Sequence, residues 1–195
     1  MKVIVLTGSI ATGKSTVAEH LQFRGYEVID LDAISREVVA PGHPGLRKLV
    51  NEFGQQILSP IGTLNRSALA EIIFSNDQAK TRVNDILHPM IYKEAQKQVD
   101  KLRKRDKEVI FVDIPLYYES NHNFECDQVW VVYIPETLQV ERLMKRNSYS
   151  EAEAMARINS QISIEKKNNW ADVVIDNSGT IKELRANVDL ALNAL

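Results

Sequence analysis

One eight-residue stretch limits what this chain can fold into more than any other feature. Gly8-Ser9-Ile10-Ala11-Thr12-Gly13-Lys14-Ser15 fits the pattern G-x-x-x-x-G-K-[ST]. It follows a short β-branched run, residues 3–7, and opens a segment, residues 14–24, with Val17, Ala18 and Leu21 on one helical face and Gly25 as its stop. Residues 26–31 then read as a second strand, so the first 31 residues form a βαβ unit with a right-handed crossover. Each fixed residue of the loop has a reason. Gly8 and Gly13 permit backbone conformations and close approaches that a side chain blocks. The backbone N–H groups of Ala11, Thr12, Gly13, Lys14, Ser15 and Thr16 then cradle phosphates at a helix N-terminus. Lys14 reaches the β- and γ-phosphates, and the Ser15 hydroxyl suits Mg2+. The expected ligand is a nucleoside triphosphate, ATP before others.

The rest of the chain alternates. Residues 33–99 carry no strand signal. Pro41, Gly42, Pro44 and Gly45 break the chain there, and helical spacing follows at 46–53, 66–74 and 79–87. His88-Pro89 is expected to interrupt, with a long charged amphipathic helix at 91–105. That is too much helix for a simple crossover and reads as an inserted lobe. Residues 109–114, 129–134 and 173–176 read as buried strands, 136–172 as two helical stretches and 181–195 as a last amphipathic helix. Strands alternating with helices imply a parallel sheet covered on both faces.

Composition narrows the function. The chain of 195 residues suffices for one compact domain, with 44% hydrophobic and 26% charged residues. A net charge of −2 argues against a protein built to wrap nucleic acid. The single cysteine, Cys126, forms no intrachain disulfide and no cysteine-rich zinc site; it reads as a small apolar filler. No apolar run approaches membrane length, so the cytosol is the expected compartment. Guanine-specific N-K-x-D is absent.

Carboxylates and cations extend the loop into a site. Asp30 and Asp32 end the second strand, on the side of a parallel sheet where nucleotides bind. Two apart on an extended segment, they point oppositely, so one at most faces the phosphates. A kinase needs such a carboxylate to take a proton from its acceptor. The alternative is that both cap the next helix. Asp113 ends the third strand and suits Mg2+. Glu119 has two readings, a site carboxylate or a surface residue. Arg142, Lys145 and Arg146 share a helix face, and Arg157, Lys166 and Lys167 follow. They form either a solvated face or a lid that closes over the triphosphate. The run 101–107 reads as a solvated helix end. His88 either approaches the acceptor or caps a helix before Pro89.

These residues resemble the dephospho-CoA kinase family over nearly the whole chain. The resemblance rests on Leu6 to Thr16, on Val28-Ile29-Asp30-Leu31-Asp32, and on Arg36-Glu37-Val38-Val39 with Pro41-Gly42. It continues through Gly62-Thr63-Leu64-Asn65-Arg66, Leu87-His88-Pro89, Asp113-Ile114-Pro115-Leu116 with Glu119, and the run from Ala171 to Gly179 that holds Ile175-Asp176-Asn177-Ser178-Gly179. The family often has aspartate where this chain has Asn147, and leucines where it has Tyr117 and Tyr118.

The resemblance implies ATP- and Mg2+-dependent phosphorylation of the ribose 3′-hydroxyl of dephospho-CoA, the last step of coenzyme A synthesis. It implies an α/β P-loop NTPase fold, three layers α/β/α around a five-stranded parallel sheet, with a helical insertion and a lid. As one kinase domain, 1–195, it divides into a nucleotide core (1–32, 106–135, 170–195), a CoA-binding insertion (33–105) and a lid (136–169). The family's base maps onto Asp32, its lid arginine onto Arg142, and its adenine-side loop near Asn177. The catalytic set is then Asp32, Lys14 and Arg142; the metal set is Ser15 and Asp113. No nucleic acid, membrane or obligate protein partner is expected.

Overall fold

A computed structural model describes residues 1–105, 107–120 and 124–195. Asp106, in the charged run 101–107, lies outside the described residues. Five strands form one sheet in the order β2-β3-β1-β4-β5. They are β1 (Lys2–Gly8), β2 (Glu27–Asp30), β3 (Val109–Asp113), β4 (Gln128–Tyr133) and β5 (Val173–Asp176). Strand β1 is central and pairs in parallel with β3 and β4, and β4 pairs in parallel with β5. Val3, Ile4, Val5 and Leu6 are all buried, so neither face of β1 meets water. That is why its sequence is continuously apolar rather than alternating.

Two groups of residues cluster separately, 1–29 with 102–195, and 30–101. In the first, α1 (Lys14–Phe23) and α9 (Ile181–Asn193) pack with the sheet. Val17, Leu21, Leu184, Val188 and Leu192 close over Ile4, Leu6, Phe111, Trp130 and Val132. Phe111 and Trp130 meet edge to face with centroids 5.1 Å apart, a geometry worth about 1 kcal/mol beyond area burial. A polar pair ties the same two helices: His20 of α1 hydrogen-bonds Asp189 of α9 at 2.9 Å, and Arg24 also pairs with Asp189.

Residues 136–172 hold three helices, not two: α6 (Glu136–Asn147), α7 (Glu151–Asn159) and α8 (Ile164–Trp170). Ser148, in the left-handed region at φ 56°, ends α6, and Ser150 opens α7 with a capping box closed by Glu153. The extra start is Ser163, whose hydroxyl accepts from the Lys166 amide.

The second group holds α2 (Leu31–Glu37), α3 (Pro44–Phe53), a single 3-10 turn (Gln55–Ile57), α4 (Arg66–Ser75) and all but the last two residues of α5 (Asp77–Arg103). Here the expected interruption at His88-Pro89 does not occur. Helix α5 runs on for 27 residues with Pro89 inside it. Proline costs a helix interior about 3 kcal/mol, yet Val83, Ile91, Ala95 and Val99 are buried on both sides of it. That apolar stripe continues at four- and eight-residue steps, and its burial outweighs the lost hydrogen bond. His88 therefore caps no helix end; it sits mid-helix with its ring edge-on to Tyr92 at 6.2 Å. Among the described residues, no helix is long and apolar enough to cross a membrane.

Candidate active site

The loop leaves β1 at Gly8 and enters α1 at Lys14. Its shape needs two left-handed residues, Ala11 at φ 65° and Gly13 at φ 88°. Gly8 is boxed in, since a Cβ there would lie 2.7 Å from Thr12 Oγ1 and 3.0 Å from the Val132 carbonyl. Ser9 O accepts from both the Thr12 amide, at 3.3 Å, and the Thr12 hydroxyl, at 2.9 Å. The apolar loop residues Ile10 and Ala11 pack against Leu143, Ala154 and Ile158 of α6 and α7.

Three side chains from later in the chain take up alternate loop carbonyls. Lys167 Nζ donates to Gly8 O at 3.3 Å, Gln139 Nε2 to Ile10 O at 2.9 Å, and Asn177 Nδ2 to Thr12 O at 2.7 Å. The Ile10 amide in turn donates to Gln161 Oε1 at 2.9 Å. The carbonyls of Gly8, Ile10 and Thr12 are thus each held by a side chain from later in the chain.

Register puts Asp113 opposite Leu6, two residues before the loop begins. Its carboxylate pairs with Lys14 Nζ, and both side chains are largely buried. Arg142 lies beside the loop: its Nη2 donates to the Asn177 carbonyl at 2.8 Å. Ser15 is exposed on the first turn of α1.

Within the site, sequence reading and structure part company at the aspartates after β2 and at Lys167. Asp30 and Asp32 do not share an extended segment. Asp30 ends β2 and caps α2, its Oδ1 accepting from the amides of Asp32 and Ala33 at 2.7 and 3.2 Å. Asp32 is already helical and its side chain is exposed. It belongs to the second cluster, whereas Gly8 to Thr16, Asp113, Arg142 and Asn177 all belong to the first.

Lys167 is no lid cation. Its side chain is 0% exposed and pairs with Glu119 Oε1 at 2.6 Å. Burial pulls its pKa down, and the hydrogen bond and charge of Glu119 oppose that only in part. Glu119 is not a surface residue; it also accepts from the Ile162 amide at 3.0 Å. Lys145, Arg146 and Lys166 are exposed, and Arg157 stacks over the Tyr149 ring at 3.9 Å. Asn147 accepts from Arg146 Nε at 2.8 Å. Tyr118 meets Tyr117 edge to face and Trp170 at a tilt, and burial raises its pKa to about 12.

Gln139 and Gln161 escaped sequence reading altogether. A signal for the first exists: Gln139 lies four residues before the buried Leu143, on the apolar face of α6, where a wholly buried amide is out of place. Lys167 stands likewise three residues after the buried Ile164.

A central parallel strand that opens into this loop, with an acidic residue ending the adjacent strand and an arginine beside the loop, defines a P-loop phosphotransferase. The chain belongs to the dephospho-CoA kinase family, whose model matches residues 2–183. It is 43% identical over 188 residues to the dephospho-CoA kinase of Carboxydothermus hydrogenoformans, covering 96% of this chain and 91% of that one. To the Enterococcus faecalis dephospho-CoA kinase it is 46% identical over 187 residues, covering 96% and 94%. Among solved structures, the Campylobacter jejuni dephospho-CoA kinase superimposes with a TM-score of 0.73 at 31% identity, covering 98% and 95% of the two chains. A shikimate kinase from Acinetobacter baumannii, at TM-score 0.51 and 16% identity over 100% of this chain and 92% of its own, shares the fold alone.

Proposed function

We propose that this enzyme transfers the γ-phosphoryl group of ATP to the ribose 3′-hydroxyl of dephospho-CoA, giving coenzyme A and ADP, as a cytoplasmic enzyme. The observation that carries the reading is the convergence of Lys14, Asp113, Arg142 and Asn177 on one phosphate-binding loop. Backbone N–H groups from Ala11 to Thr16 hold the phosphates at the positive end of α1. Lys14 and Arg142 neutralise charge that builds on the transferring group. Lys14 exchanges its partner Asp113 for phosphate oxygens when the donor enters. Asn177 sets the loop against Arg142, one of its side-chain N–H groups being committed to Thr12 O.

Ser15 and Asp113 would hold Mg2+. Both supply the hard oxygen ligands this ion takes, and it ordinarily needs only one or two from protein beside the phosphates. Among the described residues, no group of three or more His, Cys, Asp or Glu side chains gathers as a metal cluster. When bound, the ion would neutralise β- and γ-phosphate charge. Asp32 takes the proton of the 3′-hydroxyl as its oxygen bonds to the γ-phosphorus and ADP leaves. Asp32 suits that task better than Asp30, because Asp30 is committed to capping α2.

The insertion, residues 33–105, would bind the CoA portion of the acceptor, and residues 136–169, whose α6 and α7 already pack on the loop, would cover the triphosphate as a lid. An acceptor panel assayed for ADP release tests the reading. Dephospho-CoA is expected to stimulate release, with mass spectrometry finding one added phosphate on the ribose. Stimulation by a nucleoside monophosphate or a sugar instead would replace the acceptor. ATP binding without turnover on any acceptor would make the protein a nucleotide-binding regulator.

A further inference from the structure

The outer edge of the phosphate loop is held in a way that thermal stability does not require. Gln139 is wholly buried, yet its Oε1 has no hydrogen-bond partner, and Glu119 Oε2 and Ser9 Oγ are likewise buried and unpartnered. An unsatisfied buried polar atom destabilises the fold. A buried ion pair such as Lys167 with Glu119 is often no more stable than apolar side chains of similar volume. Leucine or methionine at these positions would pack without those penalties. What the polar groups supply in return is their grip on two loop carbonyls, Gly8 O and Ile10 O.

That grip fixes the other side of the loop. In a planar trans peptide the C=O and the next N–H point in opposite directions. Holding Ile10 O outward therefore turns the Ala11 N–H inward, the first of the amides that receive phosphate, while holding Gly8 O fixes the chain where the loop leaves β1. Inward N–H groups are what make such a loop an anion cradle. A loop preset this way loses less conformational freedom on binding than one that must find the shape.

We infer that Lys167 and Gln139 are positioning residues for the phosphoryl donor: Gln139 holds the Ile10 carbonyl away from the phosphates and so orients the Ala11 amide that receives them, and Lys167 anchors the Gly8 carbonyl where the loop begins. Glu119 serves by balancing the buried Lys167 charge. The inference rests on the ATP-binding reading above.

Two variants test it. Gln139→Met removes the tie to Ile10 O with little change in volume. The double variant Glu119→Gln with Lys167→Met removes both buried charges together, leaving none unpaired, and releases Gly8 O. For each, the thermal midpoint without nucleotide and the Kd for MgATP by calorimetry are measured, with KM for ATP and for dephospho-CoA. Both variants are expected to melt near the wild-type temperature. Kd and KM for ATP should rise about tenfold, the size of one lost hydrogen bond, while KM for dephospho-CoA holds. Wild-type ATP affinity in either folded variant overturns the inference for the residues it alters. Failure of both to fold overturns it too, because the residues are then structural. If the wild-type protein itself binds no ATP, it is the kinase reading that fails.

Discussion

Asn177 gives its side-chain amide to the Thr12 carbonyl at 2.7 Å and takes Arg142 Nη2 on its own carbonyl at 2.8 Å. One residue just past the end of β5 thus joins the phosphate loop to the arginine of α6. The contact is possible only because residue 13 is glycine. Gly13 sits at φ +88°, and a Cβ there would collide with Asn177 Nδ2. Gly13→Ala is expected to displace Asn177 and, through it, Arg142. A left-handed alanine also costs about 1–2 kcal/mol of stability, and the displaced loop and arginine should lower MgATP affinity about tenfold or more, read by calorimetry. Undiminished affinity would mean that the loop does not depend on this close approach.

The two aspartates after β2 should separate cleanly. Asp30 accepts two amides at the start of α2, so Asp30→Ala should cost about 1 kcal/mol of stability and lower the melting temperature with modest loss of turnover. Asp32→Asn should do the reverse. Its carboxylate is exposed and caps nothing, so folding and ATP affinity should hold while kcat drops about a hundredfold or more. Near-normal turnover in Asp32→Asn would remove it from the role of base.

Much of this was legible because local signals and tertiary packing agree. The apolar run before Gly8 and the glycine-rich loop read as they fold; Val173–Asp176 is a strand as expected, but it lies at the sheet edge with Val174 exposed rather than buried. Pro89 shows where local signals lose: proline marks a break, but the buried stripe from Val83 to Val99 carries α5 through it. Asp32 shows the opposite limit. A strand ending in Asp-Leu-Asp reads as extended to its last residue, whereas Asp30 caps a helix that begins at once. Lys167 shows a third. A lysine beside Lys166 reads as surface charge, and only its distant partners Glu119 and Gly8 explain its burial. Pairings across 43 or more residues leave no periodic trace in sequence.

Lys14 pairs with Asp113 at the mouth of the loop. MgATP should raise the wild-type melting temperature, since a ligand of the folded state stabilises it by mass action. Lys14→Met leaves the Asp113 charge short of its lysine in a mostly buried position, so the free variant should melt lower. It should also show little upward shift with MgATP. Asp113→Asn should keep ATP binding, need more Mg2+ for turnover and lose about a hundredfold in kcat, measured as ADP release across a magnesium titration. A full MgATP shift in Lys14→Met would show that the lysine does not hold the donor.

Asp189 makes the fold acid-sensitive through α1 and α9. The hydrogen bond from His20 holds its carboxyl below the usual range, and the Arg24 charge adds to this. Glu183, at the start of α9, is lowered by the Thr180 amide and hydroxyl. A carboxyl whose pKa is lowered on folding binds fewer protons folded than unfolded, so it contributes stability above the ordinary carboxylate range. That contribution drains away as pH falls through the lowered value. The wild-type melting temperature should therefore drop as pH falls from about pH 5 to pH 3. Asp189→Asn removes one of the responsible groups. It should melt lower than wild type at the upper end of that interval and lose less across it. Parallel melting curves for the two proteins would show that the His20–Asp189–Arg24 tie between α1 and α9 contributes nothing to acid sensitivity.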